Sequence, residues 1–159
     1  MTRRVFRCVA PRRARRGVAA IELALVLCAS VLLAPALLSI GTVFLNYVAL
    51  HKAVHEGARA MAALPPQALG NNAAIVQARA ATAALVVATA QQAGLATPLT
   101  ADIVFVGCDG VICNALPAST VTVSASVNVP MLPGLFSTVT SDTLQLQAIH
   151  TMRYGYATN

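Results

Sequence analysis

The sequence predicts an α+β protein: a long N-terminal transmembrane helix continuing into a small extracytoplasmic domain with a second helix and a short antiparallel sheet. Three observations carry this reading. Leu23 to Leu50 is a run of 28 residues without a formal charge. Ala73 to Ala93 is alanine-rich and free of glycine and proline. Val121, Val123, Ala125, Val127 and Val129 alternate with polar neighbours, the period of a half-buried strand. At 159 residues the chain has room for one small domain plus a membrane segment. It is 57% hydrophobic and only 10% charged, with a mean hydropathy of +0.71. Soluble domains carry about a quarter of charged residues, so this composition points to the membrane.

The net charge of +6 invites a nucleic-acid reading until the arginines are located. Arg3, Arg4, Arg7, Arg12, Arg13, Arg15 and Arg16 are seven of the eleven basic residues, and beyond residue 17 four bases face five acids. The basicity belongs to residues 1–17, read as a leader. The rest of the chain lacks the basic, aromatic-bearing surface that nucleic-acid binding needs.

The second segment, residues 18–64, reads as one helix that begins in the membrane and leaves it between Asn46 and His51. As a helix, the uncharged run is about 42 Å long, against roughly 30 Å of bilayer hydrocarbon. Pro35 lies inside it, which membrane helices tolerate. Seven arginines before the span place the N-terminus in the cytoplasm and the remainder outside. Beyond the exit, Leu50, Val54, Gly57, Met61 and Leu64 fall on one helical stripe, and Lys52 and Glu56 stand four residues apart. Pro65-Pro66 stops the helix.

Residues 65–159 form the third segment, the extracytoplasmic domain. Gly70-Asn71-Asn72 supplies a turn and an N-cap for the second helix, which Gly94 closes. After Thr97-Pro98 the pattern turns to strands, over Asp102–Val106, Thr120–Val129 and Thr143 to about Thr151. Pro130-Met131-Leu132-Pro133-Gly134 reads as a turn between the last two.

Few residues suggest chemistry. Cys8 and Cys28 stand apart, whereas Cys108 and Cys113 flank the turn signal Asp109-Gly110. They form a disulfide candidate if the domain is exported to an oxidising compartment. Zinc would need further ligands that the neighbourhood does not supply. His51 and His55 share a helical face, but Glu56 is adjacent to His55 rather than placed as the middle acid of a metalloprotease motif, so they read as an interfacial polar face. His150 sits in an expected strand without an evident partner. No nucleophile elbow, phosphate loop or catalytic carboxylate pair is visible. The expectation is no catalytic residue, metal or cofactor, and no enzymatic activity.

Glu22 is the anomaly. A carboxylate inside hydrocarbon is unfavourable by roughly 2.5–3.5 kcal/mol at a helix centre, less near the interface. Its setting is Arg16-Gly17-Val18-Ala19-Ala20-Ile21-Glu22-Leu23-Ala24-Leu25-Val26, followed downstream by His55-Glu56-Gly57-Ala58-Arg59. Over residues 16–63 this resembles the N-terminal signature of TadE-like minor pseudopilins of tight-adherence (Flp-type) pilus systems, departing at Leu23, where the family usually has Phe or Tyr. The resemblance implies cleavage by a prepilin peptidase between Gly17 and Val18, and a role for Glu22 in subunit assembly, pairing with the new amine of a neighbouring subunit. It also implies residence in the bacterial inner membrane and partnership with other pilus subunits and the pilus assembly platform. The alternative is a single-pass anchored binding or adhesion module that never enters a filament.

Overall fold

The computed structural model describes residues 13–69, 71–113, 118–130 and 143–155. Helix α1 runs from Arg13 to Ala62 and α2 from Asn72 to Gln92, with a short 3-10 helix, Pro66–Leu69, between them. A second 3-10 turn, Ala101–Ile103, leads into four strands: β1 (Val104–Cys108), β2 (Val111–Ile112), β3 (Thr120–Pro130) and β4 (Thr143–Arg153). The fold is α+β. The chain divides into two compact units, one up to Leu38 and one from Ser39 onward.

In the first unit, α1 shows its apolar side chains to its surroundings: Val18, Ile21, Leu25, Val31 and Leu37 are all exposed. Gly17–Ala62 is long and apolar enough to cross a membrane. Asn72–Gln92 meets the same length and composition test, but α2 buries Ile75, Thr82, Ala83, Val86 and Ala90 and packs against β1. That is the pattern of a core helix.

The second unit is built on an antiparallel sheet of order β2-β1-β3-β4. β3 is central, and its pleat sends Val121, Val123, Ala125, Val127 and Val129 into the core. Register carries Val104, Val106 and Cys108 of β1, and Leu146 and Ala148 of β4, onto the same face. Leu50, Val54, Gly57 and Met61 of α1 are buried and Leu64 is half-buried, as their stripe predicts. The opposite sheet face is more polar, with the Thr122 and Thr151 hydroxyls 2.9 Å apart across β3 and β4.

The ends of α2 follow from single residues. Asn71 Oδ1 accepts a 2.8 Å bond from the Ala74 N–H, capping the first turn. At the other end Gly94 adopts φ +85°, the Gly94 N–H donates to Gln91 O and the Leu95 N–H to Ala90 O, each at 3.0 Å. This is a Schellman closure, which a β-carbon would strain.

Some boundaries differ from expectation. α1 begins at Arg13, inside the expected leader, because arginine and alanine favour helix and one glycine does not stop it. The first strand starts at Val104 rather than Asp102, since Ala101–Ile103 closes a 3-10 turn through Ile103 N–H to Thr100 O. β4 continues two residues past Thr151. β2 was not expected, two residues being too few to show a period. Residues 131–134 of the expected turn lie outside the described residues, as does Cys8.

Candidate functional site

Gly17, Val18 and Glu22 all lie on α1. A β-carbon built on Gly17 meets nothing within 4 Å. A glycine in a helix interior costs about 1 kcal/mol relative to alanine, and here no close approach requires it. Val18 is 57% exposed. Glu22 is exposed and has no hydrogen bond or ion pair among the described residues. Cys28 is an exposed free thiol, and the Ser30 hydroxyl is returned to its own helix through a 2.8 Å bond to Val26 O.

The second block, Glu56-Gly57-Ala58-Arg59, sits in the opposite environment. Gly57 and Ala58 are buried, while Arg59 is exposed in the last turns of α1, where a cation suits the helix dipole. A β-carbon on Gly57 would overlap Val86 Cγ2 and stand 3.6 Å from Thr82 Cγ2 and 3.7 Å from Val123 Cγ1. Gly57 is therefore where α1 meets both α2 and β3. Beside it the Thr82 hydroxyl donates to Ala78 O at 2.8 Å and lies 3.6 Å from Met61 Sδ, and at the end of α1 the Tyr154 hydroxyl donates to Leu64 O at 2.7 Å and the Gly155 N–H to Ala62 O at 3.1 Å.

Asn46 is a further anchor that pattern reading passed over. Buried on α1, it accepts from the Ala96 N–H at 2.8 Å and donates to Thr42 O at 2.7 Å, joining the helix to the segment after α2. An amide in an otherwise apolar stretch was the available signal.

The histidines are arranged differently from their sequence spacing. His55 faces His150 of β4 with ring centroids 4.6 Å apart, so His150 has a partner, and His51 packs on Tyr47 at 4.3 Å. Glu56 Oε1 lies 3.9 Å from His55 Nδ1, both side chains being partly exposed. Among the described residues no group of three or more His, Cys, Asp or Glu is placed to hold a metal.

Cys108 and Cys113 are joined in a disulfide, with Cα atoms 4.7 Å apart. Between them Asp109 (φ +49°) and Gly110 (φ +83°) make the two-residue turn joining β1 to β2. Two positive φ values in succession are the signature of the hairpin turns favoured by Asp-Gly. The Asp109 carboxylate accepts from the Ser119 N–H at 2.9 Å, and from the Thr120 N–H and hydroxyl at 2.7 and 3.0 Å. These donors, the backbone N–H of Ser119 first, hold its pKa below the ordinary 3.8. Gly107 has no room for a side chain: a β-carbon would come 2.9 Å from Val111 O and 2.7 Å from the Phe105 ring.

Residues 17–59 match the family model described as TadE-like protein. This stretch is similar to TadE-like proteins. It starts at the unencumbered Gly17, includes Glu22, and ends on the Glu56–Arg59 block around the close-packed Gly57, so all of it lies on α1. The match covers about a quarter of the chain, and the helix on which it lies is long and apolar enough to anchor in a membrane. No curated protein and no solved structure matches the chain.

Proposed function

We propose that the protein is a minor pseudopilin acting in assembly of a type IVb, tight-adherence pilus for surface adhesion. The observation that carries this is Glu22, exposed and without a partner among the described residues, five residues after Gly17 on a helix similar to TadE-like proteins. In this reading a prepilin peptidase removes residues 1–17. The chain is held in the bacterial inner membrane with its N-terminus cytoplasmic and its C-terminal domain extracytoplasmic. Val18–Leu38, 21 residues, is about 31 Å long as a helix, close to the roughly 30 Å of bilayer hydrocarbon.

The work is packing and docking, with no catalytic step. Cleavage creates an α-amine on Val18 that is largely protonated at neutral pH, for an ordinary pKa near 7.7–8.0. Within one helix that amine is about a turn from Glu22. Between subunits, a Glu22 carboxylate on the amine of a neighbour fixes axial register, while apolar helix faces supply most of the contact area. Partners are the other pilus subunits and the assembly platform.

The test replaces Glu22 with valine. Transfer energetics make Glu22→Val easier to insert, so a role in insertion alone predicts no loss. The assembly role predicts a membrane-bound, processed protein that no longer crosslinks to other pilus subunits and no longer supports piliation. Unchanged crosslinks and piliation would reject the intermolecular pair. A protein recovered from the membrane with residues 1–17 intact would instead favour the anchored adhesion module.

A further inference from the structure

The fold brings together two histidines that neither the proposed cleavage nor the proposed subunit pair uses. His55 is on α1, and His150 on β4 stands opposite Val123 of β3, on the face of the sheet that carries the core. Their ring centroids are 4.6 Å apart and the ring planes are inclined at 59°. Both rings reach solvent: the His55 side chain is 46% exposed, and His150 is half-buried. The sequence offers His51 as the helical partner of His55, but in the fold His51 packs on Tyr47 instead.

The spacing decides what such a pair can hold. Imidazole nitrogens bind divalent transition ions at about 2.0–2.1 Å, which sets the centroids of two rings on one ion about 4.5–5.2 Å apart for right-angled to tetrahedral coordination. The 4.6 Å separation falls within that interval. At 59° the rings are not stacked face on face, an arrangement in which their nitrogens could not converge on one ion. Glu56 Oε1 stands 3.9 Å from His55 Nδ1, which leaves Nε2 as the nitrogen free of the carboxylate and adds a negative charge beside the ring. Neutral imidazole suits nickel, copper and zinc, whereas magnesium and calcium take oxygen ligands.

We propose that His55 and His150 form a two-histidine site for a divalent transition-metal ion, with water in the remaining coordination positions. The site does not depend on the pilus reading. An ion held there ties α1 to β4 across the core and binds only the folded chain, so it raises stability by mass action.

Isothermal titration of the full, untagged chain in detergent micelles tests this with nickel, zinc and magnesium chlorides. Nickel and zinc bind at one ion per chain and magnesium does not. His55→Gln and His150→Gln each weaken nickel binding by at least about tenfold, a loss of 1.4 kcal/mol or more. His51→Gln leaves it unchanged. Nickel raises the unfolding temperature of the parent and of His51→Gln, and not that of His55→Gln or His150→Gln. Circular dichroism without metal verifies that each variant is folded. No heat with nickel or zinc, nickel affinity unchanged in His150→Gln, or a loss in His51→Gln equal to that in His55→Gln would overturn the proposal, the last by placing the ion on the helical pair.

Discussion

Gly17 and Gly57 lie on the same helix and both fall within the TadE-like segment, yet their surroundings are opposite. A side chain at Gly17 would enter open space, whereas one at Gly57 would run into Val86 of α2 and approach Val123 of β3. The same contrast runs through their neighbours. Val18, Ile21, Glu22 and Leu25 are exposed, while Leu50, Ala53, Val54 and Ala58 are fully buried. Gly57 and Ala58 of the second block are accounted for by packing inside this chain, and Gly17 and Glu22 of the first are not. The proposed role assigns this glycine and this carboxylate to contacts with other molecules, a peptidase and a neighbouring subunit.

The contrast breaks first at Gly57. Gly57→Leu forces a large side chain into the Val86–Thr82–Val123 contact and should destabilise the folded unit by about 3 kcal/mol, the upper end of overpacking costs. Thermal unfolding in detergent measures it, and removal of residues 1–17 should be unaffected.

Reducing the Cys108–Cys113 disulfide comes next. Closing so short a loop contributes at most about 2–3 kcal/mol by chain entropy. Alkylation with intact-mass analysis of the native protein establishes the pairing, and melting with and without reductant gives its contribution. Two freely labelled thiols in native material would remove it from the account.

Tyr154→Phe deletes the bond to Leu64 O that fastens the end of α1, at an expected cost of about 1 kcal/mol. It sharpens the comparison, because a change at the anchored end should reach stability and leave assembly intact in the folded fraction.

The smallest effect is the pH response of Asp109. Its folded pKa lies below the ordinary 3.8, so the stabilisation is fully present above that value and is lost as pH falls from about 3.8 through the folded pKa. Asp109→Asn should melt lower than the parent at neutral pH, and the gap should close below about pH 3.8. A gap that persists unchanged at lower pH would show that the carboxylate's ionisation does not act through Ser119 and Thr120.

The elements readable in the sequence are those whose determinants are local. Asn71 and Gly94 mark the ends of α2 by their own hydrogen-bonding and conformational preferences, and the Val121–Val129 alternation defines β3 because a strand's period is two. β2 escaped because Val111-Ile112 is too short to have a period, and the 3-10 turn because Thr100 O takes a bond that pattern reading cannot see. At the candidate site Glu22 stood out at the edge of the uncharged Leu23–Leu50 run and Gly17 by its place five residues before it, whereas the steric need for Gly57, the Asn46–Ala96 bond and the His55–His150 contact arise only when residues distant in sequence are brought together.

The most direct test makes the same substitution at both glycines and reads both outcomes side by side. For Gly17→Leu and Gly57→Leu, the mature N-terminus is determined by mass spectrometry and the unfolding temperature is measured on the same preparations. The account predicts that Gly17→Leu retains residues 1–17 with an unchanged unfolding temperature, and that Gly57→Leu begins at Val18 but unfolds at a markedly lower one. A Gly17→Leu protein that still begins at Val18, or a Gly57→Leu protein as stable as the parent, would contradict it.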